Sequence, residues 1–428
     1  MTLSWVSIVR LGVIQMALGS IVVLTTSTLN RLMIVELALP AVLPGFLVAL
    51  HYGIQITRPN WGFRSDRGGR RTPWVIIGMM ILALGASMAA MAIPIFDTYF
   101  SLGMIISVLA YAIIGLGVGA SGTSLLALLA TQTAPRRRAA AATITWLMMI
   151  AGIAITAGIV GALLDPYSHK LMIKIVSSVG ALAVAATSLA IWGIERNSDN
   201  RAQKSEDMSF AEGIAEIWSE PKARHFSIFV FLSMTAYFMQ ELILEPYAGL
   251  VFGFSPGQST SLSGAQNGGV FFGMVAVGVL CTGLSIGHLK SWVTAGCLGS
   301  ALSLVIIAFL GIDGQAQHLT FAVVGLGFFN GMFAVGAIGS MMSLAGEGRK
   351  DREGTRVGIW GAAQALAAGF GGLCGAALVD LMRALSASDI TAFGTVFLIE
   401  AGIFLASALL ALRIISTRPL SAGLIPGE

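Results

Sequence analysis

Long apolar runs separated by short polar ones organise this chain. Twelve runs read as helices, near residues 8–30, 39–57, 73–95, 100–131, 140–164, 170–194, 225–247, 262–286, 291–312, 317–345, 355–380 and 391–415. Most are close to the ~20 residues that cross the hydrocarbon core of a bilayer. The longer run at 100–131 predicts a helix that tilts or projects beyond the hydrocarbon. A polar stretch, 195–224, divides the set into six and six. It predicts an N-terminal half over 1–194, a linker over 195–224 and a C-terminal half over 225–428. Inside the linker Phe210, Ile214, Ile217 and Trp218 recur at helical spacing. That spacing predicts a short amphipathic helix lying on the cytoplasmic membrane surface.

Composition sharpens the class. Of 428 residues 56% are hydrophobic and only 11% charged, with a mean hydropathy of +0.84. A soluble domain carries about 25% charged residues, so this is an all-α integral membrane protein. The 52 glycines suit close helix–helix packing in lipid. The net charge of +4 is dispersed over short loops and does not suggest a nucleic-acid partner; membrane lipid is the expected surroundings. Cys281, Cys297 and Cys374 lie in apolar runs without metal-binding spacing, so they read as packing residues. The first helix is expected to be retained as an anchor rather than cleaved. With both termini in the cytoplasm, 21 of the 25 basic residues fall on the inner side; Arg31, Lys170, Lys174 and Arg383 are the exceptions. The positive-inside rule therefore predicts that orientation in an inner membrane.

The loop between the second and third runs is the most distinctive polar segment. It reads Gly62-Phe63-Arg64-Ser65-Asp66-Arg67-Gly68-Gly69-Arg70-Arg71. A loop that only obeys the positive-inside rule needs neither an aspartate nor ordered glycines. The order resembles the loop between helices 2 and 3 of the major facilitator superfamily, with Arg64 as a departure from its pattern. The resemblance implies a major facilitator fold of 12 transmembrane helices in two six-helix halves. It also gives Gly62, Asp66, Arg67, Gly69 and Arg70 the role of a conformational latch. Asp66 is expected to meet the positive N-terminal end of helix 11, near Gly354 to Val357. A weak internal repeat agrees: Gly119-Ala120-Ser121-Gly122-Thr123 matches Gly336-Ala337-Ile338-Gly339-Ser340, and Arg138 and Trp146 match Arg352 and Trp360.

Few residues suggest chemistry. The glycines from Gly115 to Gly122 lie within an apolar run, without the strand a nucleotide fingerprint needs, and read as a packing face. No nucleophile triad, metal cluster or phosphate loop is evident, so no enzyme, catalytic residue or enzymatic cofactor is expected. Glu241 and Glu245 share one face of helix 7, preceded by Gln240 and followed by Pro246 and Tyr247. Glu36 reads as a local partner of Arg31 near the outer end of helix 1. Gln15, Gln55, Gln266, Asn267, Asn330 and Gln364 read chiefly as helix–helix hydrogen bonds.

Three stretches carry a second, narrower resemblance. Thr28-Leu29-Asn30-Arg31-Leu32-Met33-Ile34-Val35-Glu36-Leu37, Gln240-Glu241-Leu242-Ile243-Leu244-Glu245-Pro246-Tyr247-Ala248-Gly249 and Gly358-Ile359-Trp360-Gly361-Ala362-Ala363-Gln364-Ala365 are similar to segments of the PucC family. Glu241 and Ala248 depart from that pattern. The resemblance implies an assembly factor that binds bacteriochlorophyll, or a late precursor, as cargo. Light-harvesting apoproteins or terminal bacteriochlorophyll-synthesis enzymes are the implied partners. His51, about 9 Å into the membrane from its loop, reads as an axial ligand to the pigment's magnesium or as a histidine hydrogen-bonded between helices. Glu245 is the alternative donor, with Glu241 and Gln240 beside it. The Gly- and Phe-rich stretches 269–272 and 327–329 are candidate flat apolar walls. The alternative function is secondary transport of a small solute.

Overall fold

A computed structural model of the chain describes residues 3–57, 70–133, 138–195, 220–283, 286–346, 353–386 and 388–414. The apolar runs form twelve helices in it: α1 Trp5–Val35, α2 Val42–Ile54, α3 Thr72–Phe96, α4 Phe100–Gln132, α5 Arg138–Leu163, α6 His169–Ile191, α7 Pro221–Phe252, α8 Pro256–Val277, α9 Leu289–Asp313, α10 Ala316–Gly346, α11 Glu353–Leu385 and α12 Asp389–Ile414. No strand occurs among the described residues. Eleven of these helices are long and apolar enough to cross a membrane; α2, with its 3₁₀ extension Gln55–Thr57, is shorter. The chain is a multi-pass membrane protein.

Helix ends follow local chemistry. Ser4 caps α1, its Oγ accepting from the Ser7 amide at 3.2 Å. The Glu195 carboxylate accepts from the Arg71 and Thr72 amides at 2.9 and 2.8 Å, so an anion sits on the positive end of α3. Gly253 and Gly314, at φ +71° and +68°, end α7 and α9 in the left-handed region that glycine tolerates. Ser255 and Gln258 start α8 with a reciprocal capping box: the Gln258 amide donates to Ser255 Oγ at 3.2 Å and the Ser255 amide to Gln258 Oε1 at 2.9 Å. Pro256 takes the first helical position, where its missing N–H is harmless. Helix α8 therefore starts six residues before the expected 262. Helix α1 continues beyond the expected residue 30 to Val35, and α7 continues through Pro246 to Phe252.

The chain forms two compact units. The first comprises Met1–Lys204 with Glu241–Gly264, and the second Ser205–Gln240 with Ala265–Glu428. In the first, the glycine face expected on α4 packs on α3 and α2. A Cβ on Gly117 would strike the backbone of Leu82, and one on Gly115 the carbonyl of His51. In the second, Gly269 and Gly273 of α8 face Gly327 and Gly331 of α10; a Cβ on any of the four would strike the partner backbone. The two stretches proposed as flat apolar walls thus make a helix crossing, and Phe272 beside it points outward, 66% exposed.

Candidate functional site

Pro246 has no N–H, so in α7 it cannot donate to the carbonyl four residues back, that of Leu242. Asn30 of α1 replaces the missing donor, its Nδ2 lying 2.7 Å from that oxygen. The next residue, Arg31, is 2% exposed and reaches the other end of the same segment. Its guanidinium donates to the Phe254 carbonyl at 2.7 Å and to Glu36 at 2.5 Å, while its Nε lies 3.4 Å from Ser259 Oγ. Gly249 lets the guanidinium pass, since a Cβ there would come within 3.0 Å of it. Two of the three family-like stretches therefore meet: the Asn30 amide of one bonds the proline-containing turn of the other, and the Arg31 guanidinium reaches the Phe254 carbonyl just beyond it.

The approach of α1 is shaped by a π-helical turn over Leu24–Thr28. The Tyr111 hydroxyl of α4 donates to the Thr25 carbonyl at 2.6 Å, a group that the widened turn exposes. This turn presents a row of buried hydroxyls. Thr26 Oγ1 lies 3.4 Å from Glu241, Ser27 Oγ 3.5 Å from Ser263, and Thr28 Oγ1 3.2 Å from Thr260. Glu245, 2% exposed, faces Ser263 and the field of Arg31; Glu241, one turn earlier, is half-buried. Outside the spans, burial pushes the Tyr167 phenol up to about 12; the charges of Glu36 and Asp97 act in the same direction and that of Arg31 against it.

The other sequence candidates fall in different places. His51 is 2% exposed, with its Nε2 3.0 Å from the Gln55 amide nitrogen. This contact lies within α2 and its 3₁₀ extension rather than between helices, and a magnesium bound at Nε2 would have to displace Gln55. Gln240 is buried in α7. Of the latch, Gly62, Asp66, Arg67 and Gly69 lie outside the described residues, as does the linker helix; Arg70 is exposed. Arg31 and Glu36 pair as a local couple, with Glu36 exposed to the surroundings and Arg31 buried. Asn330 and Gln15 make the expected helix–helix contacts, to Ser300 at 2.7 Å and to Met149 at 3.4 Å. Sequence reasoning missed the roles of Asn30, Tyr111 and Ser259, and it missed Glu400, which is fully buried in α12. For Asn30 a signal existed: a proline inside an apolar run frees a carbonyl that some polar side chain must satisfy.

Known proteins of similar fold define the class. A variant of the nucleoside transporter NupG superposes with a TM-score of 0.71 at 14% identity, covering 96% of this chain and 100% of that one. A bacterial homologue of the human lysosomal transporter Spinster gives 0.69 at 11%, covering 96% of each. The fold is that of the major facilitator superfamily. The family follows from sequence. The model for the PUCC protein family matches residues 28–418. The "Bacteriochlorophyll synthase 44.5 kDa chain" of Rhodobacter capsulatus is 62% identical over 98% of this chain and 97% of its own. "Protein PucC" of Cereibacter sphaeroides is 30% identical over 92% and 89%. The chain belongs to the PucC family.

Proposed function

We propose that this protein binds bacteriochlorophyll, or a late precursor, and passes it to photosynthetic pigment–protein complexes or handles it beside the enzymes that complete its synthesis. The observation that carries this reading is the 62% identity, over nearly the whole chain, to a relative named as a bacteriochlorophyll synthase chain. The pigment is cargo and the protein catalyses no step. The transporter fold supports that, as does the use of Asn30 and Arg31 to satisfy helix backbone rather than to surround a reacting atom. The membrane is the inner or intracytoplasmic photosynthetic one, with both termini cytoplasmic, as the charge distribution favours. The macrocycle rests on apolar helix surface and its magnesium takes one axial donor, His51 after release of Gln55, or Glu245 with Glu241 and Gln240 beside it. The loop with Gly62, Asp66, Arg67, Gly69 and Arg70 serves as a latch, which Asp66→Asn loosens without unfolding the protein.

The test is the absorption spectrum of protein purified from a phototrophic host. Bound pigment near stoichiometric amounts, with no solute exchange in proteoliposomes, is expected. A colourless protein that exchanges a solute would overturn the reading in favour of secondary transport. Pigment occupancy in His51→Ala and Glu245→Gln, measured at matched expression, identifies the axial donor. Unchanged occupancy in both removes these two residues from the site.

A further inference from the structure

We infer that Glu241 and Glu245 form a binding site for a small monovalent cation, a proton or a sodium ion, where α1 meets the end of α7 and the start of α8. The inference does not depend on the pigment reading. The positive charge at this junction is Arg31, and it already pairs with Glu36 at 2.5 Å. Two further carboxylates remain on one face of α7, a helical turn apart. Glu241 is half-buried and Glu245 is 2% exposed, so Glu241 is the more accessible of the two. The hydroxyls of Thr26, Ser27 and Ser263 lie along the step between them.

An uncharged group points the same way. Asn30 turns its amide nitrogen to Leu242, which leaves its Oδ1 buried and, among the described residues, without a hydrogen-bond partner beside the turn that carries Glu245. Carboxylates, an amide oxygen and hydroxyl oxygens are all acceptors or can act as such. Buried together, they call for positive charge, because uncompensated buried anions are costly. Arg31 is already engaged by Glu36, so Glu241 and Glu245 leave two negative charges. Two close carboxylates do not both ionise readily, so one keeps its proton and the other takes the further proton or a sodium ion. Among the described residues the other titratable groups here are Glu36 on α1, Tyr111 on α4, Tyr247 on α7, and Asp165 and Tyr167 in the loop after α5; Tyr111 donates to the Thr25 carbonyl, Asp165 accepts from Ser255 at 2.9 Å, and Tyr167 feels both Glu36 and Arg31. The segment of α8 that packs here, residues 256–264, carries hydroxyls and no titratable side chain.

The test uses full-length protein from a non-phototrophic host, free of pigment, in nanodiscs. Its unfolding midpoint is measured from about pH 5 to pH 9 in choline chloride, and again in sodium chloride. A ligand that binds only the folded state in large excess raises the midpoint, here by at least about 3 °C. A rise with sodium at alkaline pH identifies sodium; a rise on acidification alone identifies the proton. The double variant Glu241→Gln with Glu245→Gln is expected to lose the response, and Glu245→Gln alone to lose at least half of it. Two results overturn the site: a wild-type midpoint that follows neither pH nor sodium, or a double variant that responds as the wild type does. The pigment spectrum is a separate measurement, so failure of one reading leaves the other standing.

Discussion

Replacing Asn30 with alanine tests whether its amide repairs the proline break in α7. The variant removes a 2.7 Å hydrogen bond in a site where Asn30 is 1% exposed. A side-chain hydrogen bond between membrane helices contributes about 0.6 kcal/mol on average and up to ~1.7. Here the acceptor lacks the i+4 amide of its own helix, and an unsatisfied buried carbonyl costs a further ~1–3 kcal/mol. Removing Asn30 also removes its own unpartnered Oδ1, which offsets part of that cost. The net expectation is a loss of about 1–2 kcal/mol. The decisive assay is a double-mutant cycle with Pro246→Ala, read by reversible denaturant unfolding in detergent micelles. Alanine at 246 restores an N–H that reaches the Leu242 carbonyl within α7, so Asn30→Ala should then cost almost nothing. A cost equal in both backgrounds, additive within ~0.3–0.5 kcal/mol, would refute the repair.

Arg31→Ala should destabilise by about 1–3 kcal/mol, chiefly because it leaves the Phe254 carbonyl unsatisfied, the pair with the exposed Glu36 adding little; Arg31→Lys should recover less than half, since one ammonium cannot span a carboxylate, a carbonyl and Ser259 in the guanidinium geometry, and the same unfolding assay checks both. Gly327→Ala should cost ~1–3 kcal/mol by forcing α10 away from the Gln266 carbonyl of α8, whereas Gly158→Ala, where a Cβ meets nothing within 4 Å, should be close to neutral. In an ultraviolet pH titration compared with Tyr167→Phe, Tyr167 should ionise near pH 12 rather than 10, chiefly because of burial. Its folded-state value is raised, so its contribution to stability is present below pH 10 and lost as pH rises through 12.

The helices were legible because crossing a bilayer demands runs of apolar residues, and composition reports those runs directly. The ends were less legible where polar residues lie inside protein. Ser255-Pro256-Gly257-Gln258 is a helix start by capping rules, yet the hydroxyls from Ser259 to Ser263 depress hydropathy and hide the first turns of α8. Pro246 reads as a possible stop, and nothing local to α7 says that it continues for six more residues. The donor that allows it is 216 positions away, on α1. The π-helical turn at Leu24–Thr28 is likewise held by Tyr111 from α4, a tertiary contact. Glu241 and Glu245 were found from spacing alone, but the hydroxyls, the guanidinium and the amide around them belong to segments that only folding brings near.

What these contacts share is that side-chain polarity repairs main chain. Lipid supplies no water to satisfy a freed carbonyl or a bare helix end. Asn30 and Arg31 therefore serve α7, Tyr111 serves α1, Glu195 serves α3, and the Ser255–Gln258 pair serves α8. A transporter of a polar solute needs several such groups unoccupied, because each hydrogen bond lost from water must be replaced at the site. A tetrapyrrole with an isoprenoid tail needs far fewer: apolar surface, and one donor for the metal. The two carboxylates of α7 and the Asn30 Oδ1 are among the polar groups this junction holds in reserve. Were Glu245 the axial donor of a pigment, a cation would compete with the magnesium for it, and occupancy by one would favour departure of the other. Adding sodium or acid to pigment-loaded wild type should then release pigment, and Glu245→Gln should carry little pigment from the outset; full retention by the wild type would separate the two ligands.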